Sequence, residues 1–340
     1  MKKTILDLAL AALFCGSCAR QPSTGLNDAN KRYLDAWIQV NHPGAPQTEL
    51  GSYILEDIPG TGFLAGDGDV NSYVRLEYTI RDLNGSVLAA CTEQMARQLG
   101  DYDPTEYYGP LIWVRGTNVL AAGLEEALSD MREGGSRTVL IPGWLLSSKL
   151  FYKTAKEYQD NVSGTSAIYE LKLMNVIDNI QKWETDSVGR YMYHHFPGMS
   201  VADSLKYGFY YARTGEPSRN VSFPADTTLY LNYVLRLLNG KVVDTNVRDT
   251  AAYYNIYSAS RTYSPAEIKW YGEDGTYQNI KFNGSSDMID GFLYALDQMH
   301  PDEKGAAVFY SGLGYKSSGK SPSIPAYSPL RFDIELVAKP

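Results

Sequence analysis

The residues best suited to metal or proton chemistry are the four histidines, His42, His194, His195 and His300. None stands in an HExxH pair or a comparable ligand spacing, and His194-His195 falls on a helical stretch, where a surface or packing role is expected. Gly66-Asp67-Gly68-Asp69 has the alternating oxygens of a calcium loop but neither the remaining ligands nor the distal glutamate, so it reads as a turn entering a strand. There is no GxSxG elbow, P-loop or GxGxxG fingerprint. Glu125-Glu126 is expected on the solvated side of a helix. These patterns argue against hydrolysis by nucleophile or metal and leave chemistry that an apolar site performs. One stretch suits that: in Met288 to Met299, the residues Met288, Ile289, Phe292, Ala295, Leu296 and Met299 recur at three- and four-residue steps. A short helix this apolar buries one face, most economically against a sheet. Whether its start also floors a pocket is the functional question.

The elements around it form two copies of one plan. Tyr33, Leu34, Trp37 and Ile38 mark a helix ending at His42-Pro43-Gly44, and Ile180, Trp183, Val188, Tyr191 and Met192 mark another ending at Phe196-Pro197-Gly198. Extended segments follow, Tyr53-Ile54-Leu55 and Phe209-Tyr210-Tyr211. Then Tyr78 to Asn84-Gly85 matches Tyr233 to Asn239-Gly240, and Asn-Gly predicts hairpins with type I′ turns. After the hairpins the offset between copies grows by about thirteen residues. At the new offset Gly123, Ala127, Leu128 and Met131 match Gly291, Ala295, Leu296 and Met299. Each copy closes on an alternating strand, around Tyr169-Leu171-Leu173 and around Phe332-Ile334-Leu336, with one buried and one wet face. The expected fold class is α+β: two tandem domains, each an antiparallel curled sheet with a short helix across it and a leading helix. Val176 to Pro197 is the expected joining helix, and the extra residues of copy two are expected within Thr250 to Tyr277.

Composition is that of a globular chain, with 340 residues, 44% hydrophobic, 21% charged and 27 tyrosines, and the length favours two domains. A net charge of −8 without a basic cluster argues against a nucleic-acid partner. Lys2 and Lys3 precede the apolar run Ile5–Phe14, the layout of an export signal too short to span a bilayer. Cys15-Gly16-Ser17-Cys18 resembles the lipobox of bacterial lipoproteins, which implies cleavage before Cys18, lipidation of its sulfur and attachment to the membrane through that lipid. Ala19 after it favours the outer membrane of the cell envelope. The segments expected are residues 1–18 signal peptide, 19–29 tether, 30–177 first domain and 178–340 second domain. Cys91 has no partner in the mature chain, so no disulfide framework is expected.

The order Ile54-Leu55-Glu56, Gly60-Thr61-Gly62, Gly66-Asp67, Tyr78-Thr79, Asn84-Gly85-Ser86-Val87 in copy one resembles the opening strands of FKBP-type peptidyl-prolyl cis–trans isomerases. Ile324-Pro325-Ala326 followed by Leu330 to Leu336 in copy two is similar to the family's last loop and strand. The resemblance implies a sheet curled around a short helix, with an apolar pocket between them that takes a prolyl ring, and no metal or cofactor. It implies that Asp244, Tyr315, Ile289 and Phe292 carry catalysis. Phe292 stands at the pocket floor, Ile289 and Tyr315 supply a backbone N–H and a hydroxyl, and Asp244 sits near the substrate carbonyl. Tyr233, Val243, Met288, Ile324 and Phe332 would complete the substrate-binding walls. In copy one, Leu88-Ala89 stands in place of Val243-Asp244, Leu124 in place of Phe292 and Leu146 in place of Tyr315. Copy one is therefore expected to keep the fold without the activity.

Rotation about a peptide bond meets a barrier of roughly 18–20 kcal/mol from amide resonance. A site that grips the ring, dries the amide and offers a few placed donors favours the twisted state without a nucleophile. The implied partners are proline-containing exported polypeptides. The alternative, from another class, is a non-catalytic envelope lipoprotein whose domains bind a protein or glycan. The tyrosines of Thr250–Tyr277 would suit either unfolded chains or simple packing of an ordered insertion.

Overall fold

The computed structural model describes residues 25–66, 72–116, 119–224, 226–270, 281–285 and 288–340. The expected signal peptide, Cys18 and most of the tether lie outside these residues, as do Asp67–Asp69, Tyr271 and Tyr277. Among the described residues no helix is long and apolar enough to cross a membrane.

Each unit opens on a helix that a Pro-Gly step ends. In the first unit α1 (Asp28–Asn41) already begins inside the stretch expected as tether and buries Leu34 and Ile38. The unit continues through β1 (Tyr53–Ile58), β2 (Ser72–Arg81), β3 (Val87–Ala90), α2 (Glu93–Leu99), β4 (Leu111–Arg115), α3 (Ala122–Ser129), β5 (Ser136–Ile141), α4 (Ala155–Asn161) and β6 (Ala167–Ile177). The joining helix α5 (Ile180–His195) starts later than expected because Val176 and Ile177 still belong to β6. The second unit then runs β7 (Phe209–Gly215), β8 (Thr227–Leu237), β9 (Val242–Thr245), α6 (Arg248–Tyr253), β10 (Ala266–Trp270), β11 (Lys281–Phe282), α7 (Asp290–Gln298), β12 (Lys304–Phe309) and β13 (Leu330–Val337).

The first sheet has the order β1-β5-β6-β2-β3, with β4 also on β2. The second has the order β11-β10-β8-β13-β12-β7, with β9 also on β8. All pairings are antiparallel. The chain is thus α+β with two tandem sheets, each crossed by one short helix.

Alternation along the strands sets the layers. In the second unit Phe209, Ala307 and Phe309 point inward onto α7. Their neighbours Tyr210, Ala212 and Val308 point outward onto Val188 and Met192 of α5. Covered on both sides, β12 is buried from Gly305 to Phe309 and reads as a continuous apolar run. The glycine that starts each crossing helix permits the close approach. A Cβ on Gly291 would lie 2.4 Å from the Phe309 ring, and one on Gly123 would lie 2.4 Å from the Ile141 side chain.

The Asn-Gly hairpins form, but not with type I′ turns. Only the glycines, Gly85 at φ +89° and Gly240 at φ +90°, take the left-handed conformation, and Asn84 and Asn239 do not. Gly85 N–H donates to Asp82 and Asp82 N–H to Ser86, with Gly240–Leu237 and Leu237–Lys241 bonds to match. These are type I turns closed by a glycine bulge, the other common way to match strand twist.

The register of the repeat also extends further than expected. At a constant offset of 155 residues, α2 maps onto α6 from its first residue and β4 onto β10 end for end. The added residues of the second unit therefore lie beyond Trp270, between β10 and α7, rather than through Thr250–Tyr277. Their described part is β11, which extends β10 as a further strand.

The two units touch. The Tyr107 N–H donates to the Pro322 carbonyl at 2.9 Å, Tyr73 meets the Tyr327 ring edge-on at 5.3 Å, and the Lys241 ammonium donates to the Pro104 carbonyl at 2.8 Å.

Candidate functional site

Where the start of α7 meets the inner face of the second sheet, the side chains leave a cleft of about 240 Å³. Phe292, in the first turn of α7, is its floor, with Met288 and Ile289 just ahead of the helix. Tyr233 and Leu235 of β8, Phe282 of β11 and Phe332 of β13 form a largely aromatic wall. The rings are mutually braced: Phe292 lies 5.1 Å from Phe332 and 5.8 Å from Phe282, and Tyr233 lies 5.9 Å from Phe282. Edge-on and tilted contacts of this kind fix ring positions as well as burying area. Tyr315 and Lys320, on the loop after β12, close the other side with Asp244 of β9.

The polar groups fall into two sets. On one wall the Tyr233 hydroxyl donates to Asp244 Oδ2 at 2.9 Å. Arg261 donates through Nη2 to the Tyr233 oxygen at 2.9 Å and through Nη1 to Asp244 Oδ1. Burial, followed by the negative charge of Asp244, pushes the Tyr233 pKa far above the ordinary tyrosine value, so the phenol stays protonated. Asp244 has both oxygens engaged, which makes it a fixed dipole and charge rather than a free base. The second set has no partner among the described residues. Among the described residues none accepts from the Ile289 backbone N–H and none bonds the Tyr315 hydroxyl. Both belong to residues that line the cleft, so the N–H at the helix start and the phenol are available to a carbonyl placed inside it.

Tyr233, Asp244, Met288, Ile289, Phe292, Tyr315 and Phe332, chosen from sequence, all line this one cleft. Val243 and Ile324 are not among its lining residues; both pack in the hydrophobic cluster to which the wall belongs, Ile324 buried and Val243 partly so. Leu235, Phe282, Lys320 and Arg261 were not foreseen. Arg261 follows a run of surface-like residues, and only its pairing with Asp244 marks it. Phe282 stands in the stretch without a counterpart in copy one.

The first unit keeps Tyr78 at the Tyr233 position but lacks the acid, the cation, the aromatic floor and the loop tyrosine. At the 155-residue offset Asp244 and Arg261 correspond to Ala89 and Glu106, so acid and cation are lost together. Leu124 stands at the Phe292 position. The 3-10 turn Gly143–Leu145 matches Ser311–Leu313 at an offset of 168, which places Ser147, rather than the expected Leu146, opposite Tyr315. Beside Tyr78, the counterpart of Tyr233, lies the Trp113 ring at 5.4 Å. The scaffold beneath is retained: the Tyr233 N–H donates to the Asn246 side chain, and the Tyr78 N–H donates to Cys91, the free buried thiol at the same position.

Two other expectations change. Glu125 and Glu126 are not simply solvated. Glu125 accepts from Arg115 and the Gly116 N–H, and Glu126 from Thr48 and the Leu50 N–H, so they pin the crossing helix to its surroundings. The tyrosines of the second unit include a stacked pair, Tyr257 and Tyr263, 5.3 Å apart. The first unit has the same pair at the same offset, Tyr102 and Tyr108 at 5.5 Å. In both, the second hydroxyl accepts from a backbone N–H five residues earlier, that of Ser258 or Asp103. A stack present in both units is a brace for the loop before β4 and β10. Of His, Cys, Asp and Glu, no group of three or more among the described residues is placed to hold a metal ion.

The family model of the FKBP-type peptidyl-prolyl cis-trans isomerases matches residues 272–337. The chain is similar to the FKBP-type isomerases. The match takes in Phe282, Met288, Ile289, Phe292, Tyr315, Lys320 and Phe332, whereas Tyr233, Asp244 and Arg261 precede it. A short-type peptidyl-prolyl cis-trans isomerase of Methanocaldococcus jannaschii is 34% identical over 70 residues. Those residues are 21% of this chain and 44% of that relative, so the chain spans less than half of the relative's length. Among solved structures, the three FKBP domains of wheat FKBP73 align over 84% of this chain and 93% of theirs, at 13% identity and a TM-score of 0.29. A peptidyl-prolyl cis-trans isomerase from Pseudomonas syringae pv. tomato aligns over 48% of this chain and 97% of its own, at 20% identity and a TM-score of 0.31. The FKBP-type likeness thus rests on the C-terminal match and on the cleft that those residues line.

Proposed function

We propose that this chain is an FKBP-type peptidyl-prolyl cis–trans isomerase whose activity resides in the second unit. The observation that carries the reading is the cleft floored by Phe292, where the Ile289 N–H and the Tyr315 hydroxyl, without partners among the described residues, belong to the same apolar lining. A prolyl ring set on Phe292 among the aromatic walls would lose its water. Drying the amide removes solvent stabilisation of its polar planar form and lowers the barrier of roughly 18–20 kcal/mol to rotation. The two free donors would hold carbonyls of the bound peptide through the twist, at no cost in reorganisation. The Tyr233–Asp244–Arg261 network keeps that wall in place and sets the Asp244 charge near the carbonyl of the residue before proline. No proton is transferred and no bond is broken.

The clients are exported polypeptides containing proline, met at the cell envelope, where a lipid on Cys18 would hold the chain at the outer membrane. This part of the reading rests on Lys2-Lys3, the apolar run Ile5–Phe14 and the Cys15–Cys18 box. A protease-coupled assay on Leu-Pro peptides tests the enzyme: the full chain should accelerate the slow cis phase, and no acceleration by folded protein would sink the proposal. Labelled palmitate should enter the expressed protein and be lost in Cys18→Ser; a protein equally unlabelled with and without Cys18 rules out the anchor.

A further inference from the structure

The cleft carries a charge that the isomerase reading leaves unused. Lys320 lines it, is exposed, and holds its ammonium 5.5 Å from the centre of the Tyr315 ring. The root of this side chain is fixed. The Lys320 N–H donates to the Ile324 carbonyl at 2.7 Å and its carbonyl accepts from the Ile324 N–H at 2.9 Å, which pinches the loop tip into a small bridge. Gly319, in the left-handed conformation, bonds back to Tyr315 at 3.0 Å. The tip therefore presents the amine beside the phenol that is free to bind a substrate carbonyl.

Among the described residues no carboxylate pairs with the Lys320 ammonium. The other charges at the cleft, Asp244 and Arg261, neutralise one another. Among the described residues that line the mouth, Lys320 is left as one unbalanced positive charge, on a chain whose net charge is −8. A neighbouring aromatic face stabilises an ammonium only modestly at an exposed site, so a substrate carboxylate would be its best partner.

We infer that Lys320 selects substrates with an acidic side chain directly beside the proline. This rests on the isomerase reading and adds the chemistry of the flanking residue. Attraction between partly solvated charges at contact distance corresponds to about fivefold in kcat/KM, and salt screens it.

The test compares isosteres on the full chain, following cis–trans exchange of peptides by NMR, which needs no coupling protease. The pairs are Ala-Glu-Pro-Phe against Ala-Gln-Pro-Phe and Ala-Ala-Pro-Glu against Ala-Ala-Pro-Gln. The expected result is a Glu-over-Gln ratio of about five in at least one pair. That ratio should fall towards one in Lys320→Gln and in high salt, and invert in Lys320→Glu. Equal rates for Glu and Gln in the wild type, or a ratio that survives Lys320→Gln, would overturn the inference while leaving the isomerase standing. Absence of catalysis on every peptide, Leu-Pro included, would instead remove the isomerase reading itself.

Discussion

Arg261 and Asp244 are joined across seventeen residues by an ion pair, and the matching positions of the first unit hold Glu106 and Ala89. The pair closes one wall of the cleft by holding Tyr233 between two partners. Because both side chains are partly exposed, its contribution to stability is small, about 1 kcal/mol or less. Its value lies in orientation. Arg261→Ala should therefore barely move the thermal midpoint and should lower kcat/KM about tenfold, the equivalent of one lost charge-assisted hydrogen bond. Arg261→Lys, which keeps the charge without the fork, should fall between. A large loss of stability with unchanged activity would assign the pair to folding instead.

The first unit, without the counterparts of Asp244, Arg261, Phe292 and Tyr315, braces the cleft beside it. The Tyr107 ring packs on the second hydrophobic cluster and its N–H holds Pro322, two residues past Lys320. In Tyr107→Ala the half-buried ring contact is lost, at a cost of about 2 kcal/mol. The amide protons of Gly319 and Lys320, bonded to Tyr315 and Ile324, should then exchange faster by about tenfold if their opening is local. Unchanged protection at these two amides would show that the loop stands without the first unit.

Burial raises the pKa of Glu184 on the joining helix above its ordinary 4.5, against the bonds it accepts from the Ser311 N–H and hydroxyl. The folded state therefore binds this proton more tightly than the unfolded chain. The stabilisation is complete below pH 4.5 and is lost as pH rises through the raised pKa. Relative to Glu184→Gln, which does not titrate, the wild type should lose thermal stability as pH rises through that window, then run parallel above it. Melting curves of both proteins across a pH series check this; a difference that grows in the opposite direction contradicts it.

The repeat was legible wherever local chemistry repeats: Pro-Gly stops, Asn-Gly turns, and the Gly-x-x-x-Ala-Leu of the crossing helices. Where the added residues enter was not, because nothing between hairpin and helix repeats as loudly. Yet Tyr102 with Tyr257, Tyr108 with Tyr263, and Pro110 with Pro265 hold the 155-residue offset and would have carried the register to Trp270. The cleft was legible where an aromatic or acid stands at a fixed distance from a turn. Arg261 escaped because a guanidinium on a polar loop looks the same whether it meets water or Asp244. Val243 and Ile324 stand beside lining residues without being among them, since spacing along the chain says which stretch nears a site but not which side chain turns into it. Glu125 and Glu126 were misread because the donors they accept from, Arg115 and Thr48, come from other parts of the chain.

The most direct test asks which unit holds the activity. Cis–trans exchange of a Leu-Pro peptide should be followed by NMR with the full chain, with the double variant Asp244→Ala/Tyr315→Phe, and with Tyr78→Phe in the first unit. The account predicts acceleration by the wild type, a loss of at least about tenfold in the double variant, and no loss in Tyr78→Phe. Full activity in a folded double variant, or its disappearance in Tyr78→Phe, would contradict it.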